Sequence, residues 1–191
     1  MIFETIIISM DVDDKPHVTP FGIRMQDGLV VISPYKPSTT LDNILATQHA
    51  VMNLTDDVRV FAGALTRRQA WTLLPAEKIT GFRLAETLAH QELKLVKVID
   101  DAQRPQLLME VVYAVQHQPF QGFNRAQAAV IELAVLASRL HRLPKDKVTA
   151  EMAYLQIAVD KTAGERELQA WRWLTEKIEN FYAAQAGENF A

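Results

Sequence analysis

The chain has 191 residues, 49% of them hydrophobic and 23% charged, a balance that supports a packed core and excludes a disordered chain. Its 23 acidic and 20 basic side chains leave a formal net charge of −3, so no chain-wide positive field draws it to nucleic acid or anionic lipid. Cysteine is absent, which excludes disulfides, thiolate zinc sites, iron–sulfur clusters and a cysteine nucleophile.

Strands come first along the chain. Ile6, Ile7 and Ile8 lie within a run at 2–9 that carries Glu4 early and lacks a basic leader or a small-residue cleavage site, so it reads as a strand. Further β-branched and apolar runs at 17–25, 29–33, 50–54, 93–99 and 107–115 predict more short strands. Residues 11–16 supply the acidic turn after the first strand, and Gln26, Asp27 and Gly28 supply the next, which makes the first three strands a meander. One helix interrupts the strands over 38–48, with Leu41, Ile44 and Leu45 at helical spacing and Thr39 and Asp42 in a capping-box pattern.

Past residue 120 the apolar period becomes about 3.6. Over 124–141, Ala126, Val130, Leu133, Ala134, Ala137 and Leu140 form one stripe, and Pro144 stands beyond as a stop. A second helix is expected over 149–162, with Gly164 as a break, and a third over 165–184, carrying Leu168, Trp171, Leu174, Ile178 and Phe181 on one face. The polar tail after Gln185 is expected to fray. Strands followed by helices predict an α+β chain that divides into 1–120 and 121–191. No run approaches the roughly 20 apolar residues that cross a bilayer, and no lipidation signal is present, so a cytoplasmic protein without a membrane partner is expected.

The chemistry concentrates in residues 33–57. A strand ends in Ser33, Pro34, Tyr35, Lys36 and Pro37, after which Ser38, Thr39 and Thr40 open a helix. A helix start offers free N–H groups and a positive dipole end, the hydroxyls add donors, and Lys36 adds a full charge, so a phosphate fits. Equally, Ser38 or Thr39 simply caps the helix and Lys36 is solvated. The spacing is not that of a Walker loop.

The runs KPSTTLDNI at 36–44 and VMNLTDD at 51–57, preceded by TPFG at 19–22, resemble the phosphate-side segment of FMN-binding split barrels of the flavin-reductase kind. With FNRA at 123–126 and DKTAG at 160–164, the whole pattern is similar to an uncharacterised family of that superfamily, domain of unknown function 447. The resemblance implies a six-stranded antiparallel split β-barrel that forms a homodimer with flavins at the subunit interface. It further implies FMN as cofactor, with Lys36, Ser38, Thr39 and Thr40 on the phosphate, Tyr35 and Asn43 on the ribityl side, and Thr19, Pro20, Phe21 and Gly22 lining the ring. Gly22 suits close backbone approach to a flat ring, and a bulge in the second strand would serve it as well. Asn53, with Thr55, either reaches the flavin or forms a turn.

Arg125, Glu132 and Arg139 recur every seven residues, as an ion-paired solvated stripe or, for Arg125, as a cation for the flavin or an acidic substrate. Lys161 and Glu165 make a weak i, i+4 pair. His17, His49, His90, His117 and His141 show no HxH or HExxH spacing, so no metal site is expected. Three functions fit: a flavin-dependent oxidoreductase of unknown substrate, a non-catalytic flavin carrier or sensor, or a flavin-free dimeric interaction protein.

Overall fold

The computed structural model of the chain describes residues 1–68 and 71–188. They fall into two compact units, Met1–Asp56 with Ala70–Phe120 and Asp57–Gln69 with Gln121–Ala191.

The first unit is a closed six-stranded antiparallel barrel. Its strands are β1 (Phe3–Met10), β2 (Pro16–Gln26), β3 (Leu29–Ile32), β4 (His49–Leu54), β7 (Ala89–Ile99) and β8 (Gln106–Gln116), in the order β1-β2-β3-β8-β7-β4, and β4 closes on β1. A two-stranded hairpin of β5 (Leu73–Pro75) and β6 (Phe82–Leu84) is inserted between β4 and β7. Asp27 and Gly28 both take positive φ, 51° and 79°, the paired left-handed conformation that a two-residue hairpin turn requires. The turn between β1 and β2 is fastened by the Asp11 carboxylate, which accepts the Asp13 and Lys15 N–H groups, each at 2.9 Å. Ile7, Ile23, Val30, Ile32, Leu93, Leu107 and Met109 join the buried barrel cluster, together with Leu41 and Ile44 of α1 (Thr39–Thr47).

The cap of α1 is Ser38, one residue before the Thr39 of the expected capping box. Ser38 holds the extended conformation that a cap needs, and its hydroxyl accepts the Leu41 N–H at 3.2 Å. Leu45, expected on the apolar stripe, is exposed. Strand β7 begins four residues before its predicted start, because His90 and Glu92 sit on it as buried polar residues.

The second unit is helical: α2 (Arg59–Thr66), α3 (Arg125–Ala137), α4 (Lys145–Thr162) and α5 (Glu165–Glu188). Val58, Ala62, Val130, Leu133, Val148, Val159, Trp171, Leu174 and Ile178 build its core. Helix α2 went unpredicted, being eight residues long with Gly63 inside it. The Asp57 carboxylate steadies its start by accepting the Arg59 N–H at 3.1 Å and pairing with the same residue's guanidinium.

Helix α3 is shorter than expected. It stops at Ala137, and a separate turn, Leu140–Arg142, carries Leu140 back to the core. Arg139 therefore lies off the helix and the seven-residue stripe is broken; among the described residues Arg125, Glu132 and Arg139 form no ion pair. Lys161 and Glu165 fall on different helices, so their expected pairing within one helix is also corrected.

The FNRA and DKTAG motifs meet each other. Asn124 caps α3 by accepting the Ala126 N–H at 2.7 Å, and its amide donates to the Thr162 carbonyl at 3.0 Å. The Thr162 hydroxyl accepts the same Ala126 N–H at 3.0 Å. Glu167 takes the Gly164 N–H at 3.0 Å and the Gln127 amide at 3.1 Å. Glu167 is thus buried while Leu168, expected on the apolar face, is exposed. Among the described residues no helix is long and apolar enough to cross a membrane.

Candidate functional site

Thr19, Pro20, Phe21 and Gly22 pair across β2 with Ile7, Ile6, Thr5 and Glu4 of β1, in unbroken register. No bulge exists at Gly22. A Cβ there would meet the Ile2 Cγ2 at 2.9 Å and the Glu4 Oε1 at 3.3 Å, so the glycine makes room for side chains on β1 and just before it. Phe21 packs against the barrel cluster.

Past β3, Tyr35 and Lys36 are exposed, and the turn between β7 and β8 holds them. The Lys36 N–H donates to the Gln103 carbonyl at 2.8 Å, while its ammonium reaches the Asp101 carbonyl at 3.0 Å and pairs with Asp100 at 3.3 Å. Thr39 is exposed, whereas Thr40 is buried in α1. Asn43 is buried and donates to the Ser9 hydroxyl at 3.1 Å. Asn53 is fully buried, donating to the Ile6 and Val51 carbonyls at 3.4 Å and accepting the Leu84 N–H at 2.9 Å. That places it at the joint of β1, β4 and β6, with its amide occupied by backbone. Arg125 is exposed on the first turn of α3, in the helical unit.

A cavity of about 170 Å³ opens beside Gly22, lined by Ile2, Arg24, Ser33, Arg104 and Gln106 as well. Arg24 stands two residues past Gly22 on the same face of β2 and donates to the Gln106 side chain at 3.0 Å. The Arg104 Nε donates to the Ser33 carbonyl at 3.2 Å, and its guanidinium lies 4.6 Å from the centre of the Tyr35 ring. The Ser33 hydroxyl is buried and has no hydrogen-bond partner among the described residues. The Asp101 carboxylate accepts the Arg104 and Gln103 N–H groups at 2.7 and 2.8 Å, which holds it below the usual carboxylate range and shapes the turn that carries Arg104.

Two guanidinium groups, an unpaired hydroxyl and a glycine wall suit a small multivalent anion. Of the residues expected to bind, Gly22 lines this cavity and Tyr35 stacks at its arginine. Thr40, Asn43 and Asn53 are turned into packing. Arg24 and Arg104, which also line the cavity region, were not among the expected residues, and Ser33 was named only at the end of its strand. Arg24 was legible from its spacing to Gly22, but Arg104 stands 71 residues from Ser33 and left no sequence signal.

A second polar centre lies elsewhere on the barrel. The fully buried Glu92 carboxylate accepts the N–H groups of Glu77, Lys78 and Ile79 at 2.6, 2.7 and 2.9 Å. Burial alone would push this carboxyl up, but the three backbone donors and His90 outweigh it and hold it below the usual range. His90, also fully buried, places Nε2 at 3.4 Å from Glu92 and 3.3 Å from Glu77. Its Nδ1 lies 2.9 Å from the His117 Nε2, with the two rings stacked. Burial first, and then the Arg83 and His90 charges, lower the His117 pKa.

The family model described as protein of unknown function (DUF447), N-terminal domain, matches residues 3–118, and the model described as protein of unknown function (DUF447) matches 124–176. No curated protein matches the chain in sequence. Among solved structures, an FMN-bound DUF447 protein of Methanosarcina mazei superposes with a TM-score of 0.78 at 19% identity, over 92% of this chain and 94% of that one. The NADH:FAD oxidoreductase SgcE6 of Streptomyces globisporus matches at 0.51 and 14% identity, over 60% and 70%. Flavoredoxin of Desulfovibrio vulgaris matches at 0.51 and 16%, over 60% and 69%. At these identities the likeness is one of fold.

Proposed function

The chain belongs to the DUF447 family, and on that footing we propose that its barrel binds FMN and serves a flavin-dependent oxidoreductase reaction, with the phosphate in the cavity of Arg24, Ser33 and Arg104. The observation that carries this reading is one cavity walled by Arg24, Arg104 and Ser33, whose buried hydroxyl has no partner among the described residues. A buried polar group without a partner is costly, and a phosphate oxygen would satisfy it. The names of the similar structures, FMN-bound protein, NADH:FAD oxidoreductase and flavoredoxin, support a flavin as the ligand, and the first of them supports FMN.

Arg104 would pair with the phosphate while its other face rests on Tyr35, and Arg24 would close the opposite wall. Lys36 and the start of α1, with the exposed Thr39, would add positive potential along the same chain segment. The stretch from Thr19 to Gly22 would face the ring. Bound flavin would supply the hydride or electron transfer; the residues bind, orient and exclude water. The flavin site is further proposed to lie in a homodimer, since Val96, Val98, Ile99 and Val112 are exposed on the paired strands β7 and β8.

Titration of the purified protein with FMN and with riboflavin, followed by flavin fluorescence, tests the reading. FMN is expected to bind at least about tenfold more tightly, the worth of one charge-assisted contact. A protein that ignores both ligands would overturn it. Reduction of the bound flavin by NADH or NADPH separates an oxidoreductase from a passive carrier.

A further inference from the structure

We propose that Glu77, His90 and Glu92 form a binding site for one divalent cation of the zinc class, and that His117 orients the imidazole. The site is separate from the flavin reading and does not depend on it.

The first argument is spacing. A charge-assisted N–H···O bond between imidazole and carboxylate runs to about 2.7–2.9 Å. His90 Nε2 stands instead at 3.3 Å from a Glu77 oxygen and 3.4 Å from a Glu92 oxygen. Ligand atoms held about 2.0–2.1 Å from a tetrahedral zinc lie about 3.3–3.4 Å from one another, the edge of the tetrahedron. One nitrogen and one oxygen from each carboxylate all fall within 4.8 Å of one another.

The second argument is preparation of the ligands. Glu92 is fixed by three backbone N–H groups, and each carboxylate oxygen has two lone pairs, so the oxygen facing His90 keeps one to donate. His90 has its far nitrogen against His117. When Nε2 is a ligand, Nδ1 carries the proton and donates it to the neutral His117, the outer-shell bond that sets the tautomer in histidine metal sites. Among the described residues the fully buried Glu92 carboxylate pairs with no lysine or arginine, so a dication would supply the full positive charge that its surroundings lack.

The third argument is access. Glu77 comes from the loop between β5 and β6, and its side chain is 40% exposed, so it forms the rim through which an ion enters. Imidazole with carboxylates suits zinc and its first-row neighbours better than calcium or magnesium. A bound ion would tie that loop to β7, with a fourth position left for water.

The test uses the full-length chain without a histidine tag, stripped with chelator and dialysed against Zn²⁺ or Co²⁺. Metal analysis is expected to find one ion per chain, Co²⁺ is expected to give the strong visible absorption of a low-coordinate centre, and Zn²⁺ is expected to raise Tm. Glu77→Gln, at the rim and away from the core, is expected to keep the fold and weaken the ion by about tenfold or more, since even outer-shell partners carry that much. His90→Gln is expected to abolish binding. Failure of the wild type to retain either ion would overturn the proposal, as would retention unchanged in Glu77→Gln; the latter variant decides the matter if His90→Gln does not fold.

Discussion

The barrel holds two polar centres that contrast in what they leave unpaired. Around Ser33, the arginines are exposed, the cavity is open, and a buried hydroxyl has no partner among the described residues. Around Glu92, the carboxylate is met by three backbone N–H groups and stands beside His90, and both side chains are fully buried. The first has the chemistry to take a small multivalent anion from solvent. The second is a fastening, with room at most for a single ion.

The largest expected effect is at the closed centre. Glu92→Ala removes the shared acceptor of three loop N–H groups and the buried carboxylate beside His90, and should destabilise the fold by about 3–5 kcal/mol, the range for breaking a buried charged network. Urea denaturation reads this directly, and a loss below about 1 kcal/mol would mean that water replaces the carboxylate there. At the open centre, Arg104→Ala should weaken FMN by about tenfold to a hundredfold and leave riboflavin nearly unchanged. Its stability should stay within about 0.5 kcal/mol of wild type, because the residue is exposed.

Ser33→Ala sharpens the contrast further. Removing an unpaired buried hydroxyl should leave the flavin-free protein equally stable or more so, by up to about 1 kcal/mol, while FMN affinity falls by about tenfold or less. A drop in flavin-free stability would show that Ser33 has a structural partner. The smallest effect is expected for Lys36→Ala. Its ammonium already serves Asp100 and the Asp101 carbonyl, so its loss should weaken FMN by less than about tenfold, and by less than Arg104→Ala does. An equal or larger loss would return the phosphate role to Lys36.

Much of this architecture was legible along the chain. Asp27 and Gly28 announced their turn, the triple isoleucine its strand, and Ser38 to Ile44 the single helix within the barrel, because turn chemistry, burial and capping are local. Helix α2 and the hairpin of β5 and β6 were not legible: they are short, and α2 has a glycine within it. The first half of β7 was hidden for a different reason. His90 and Glu92 are polar residues at buried positions, and their strand reads as loop until the partners that satisfy them are known.

The candidate site divides along the same line. Sequence alone determined the strands-then-helices order, which follows from periodicity, and offered the family resemblance and the candidate segments 19–22 and 33–57, which follow from motifs confined to neighbouring residues. Only the tertiary structure decided which side chains face a cavity. Barrel closure brings Arg104 to Ser33, spends Asn53 on backbone groups, commits Lys36 to Asp100 and sets Glu77 against His90. Each of those outcomes depends on strand register and on distant partners, which no local pattern in the sequence encodes.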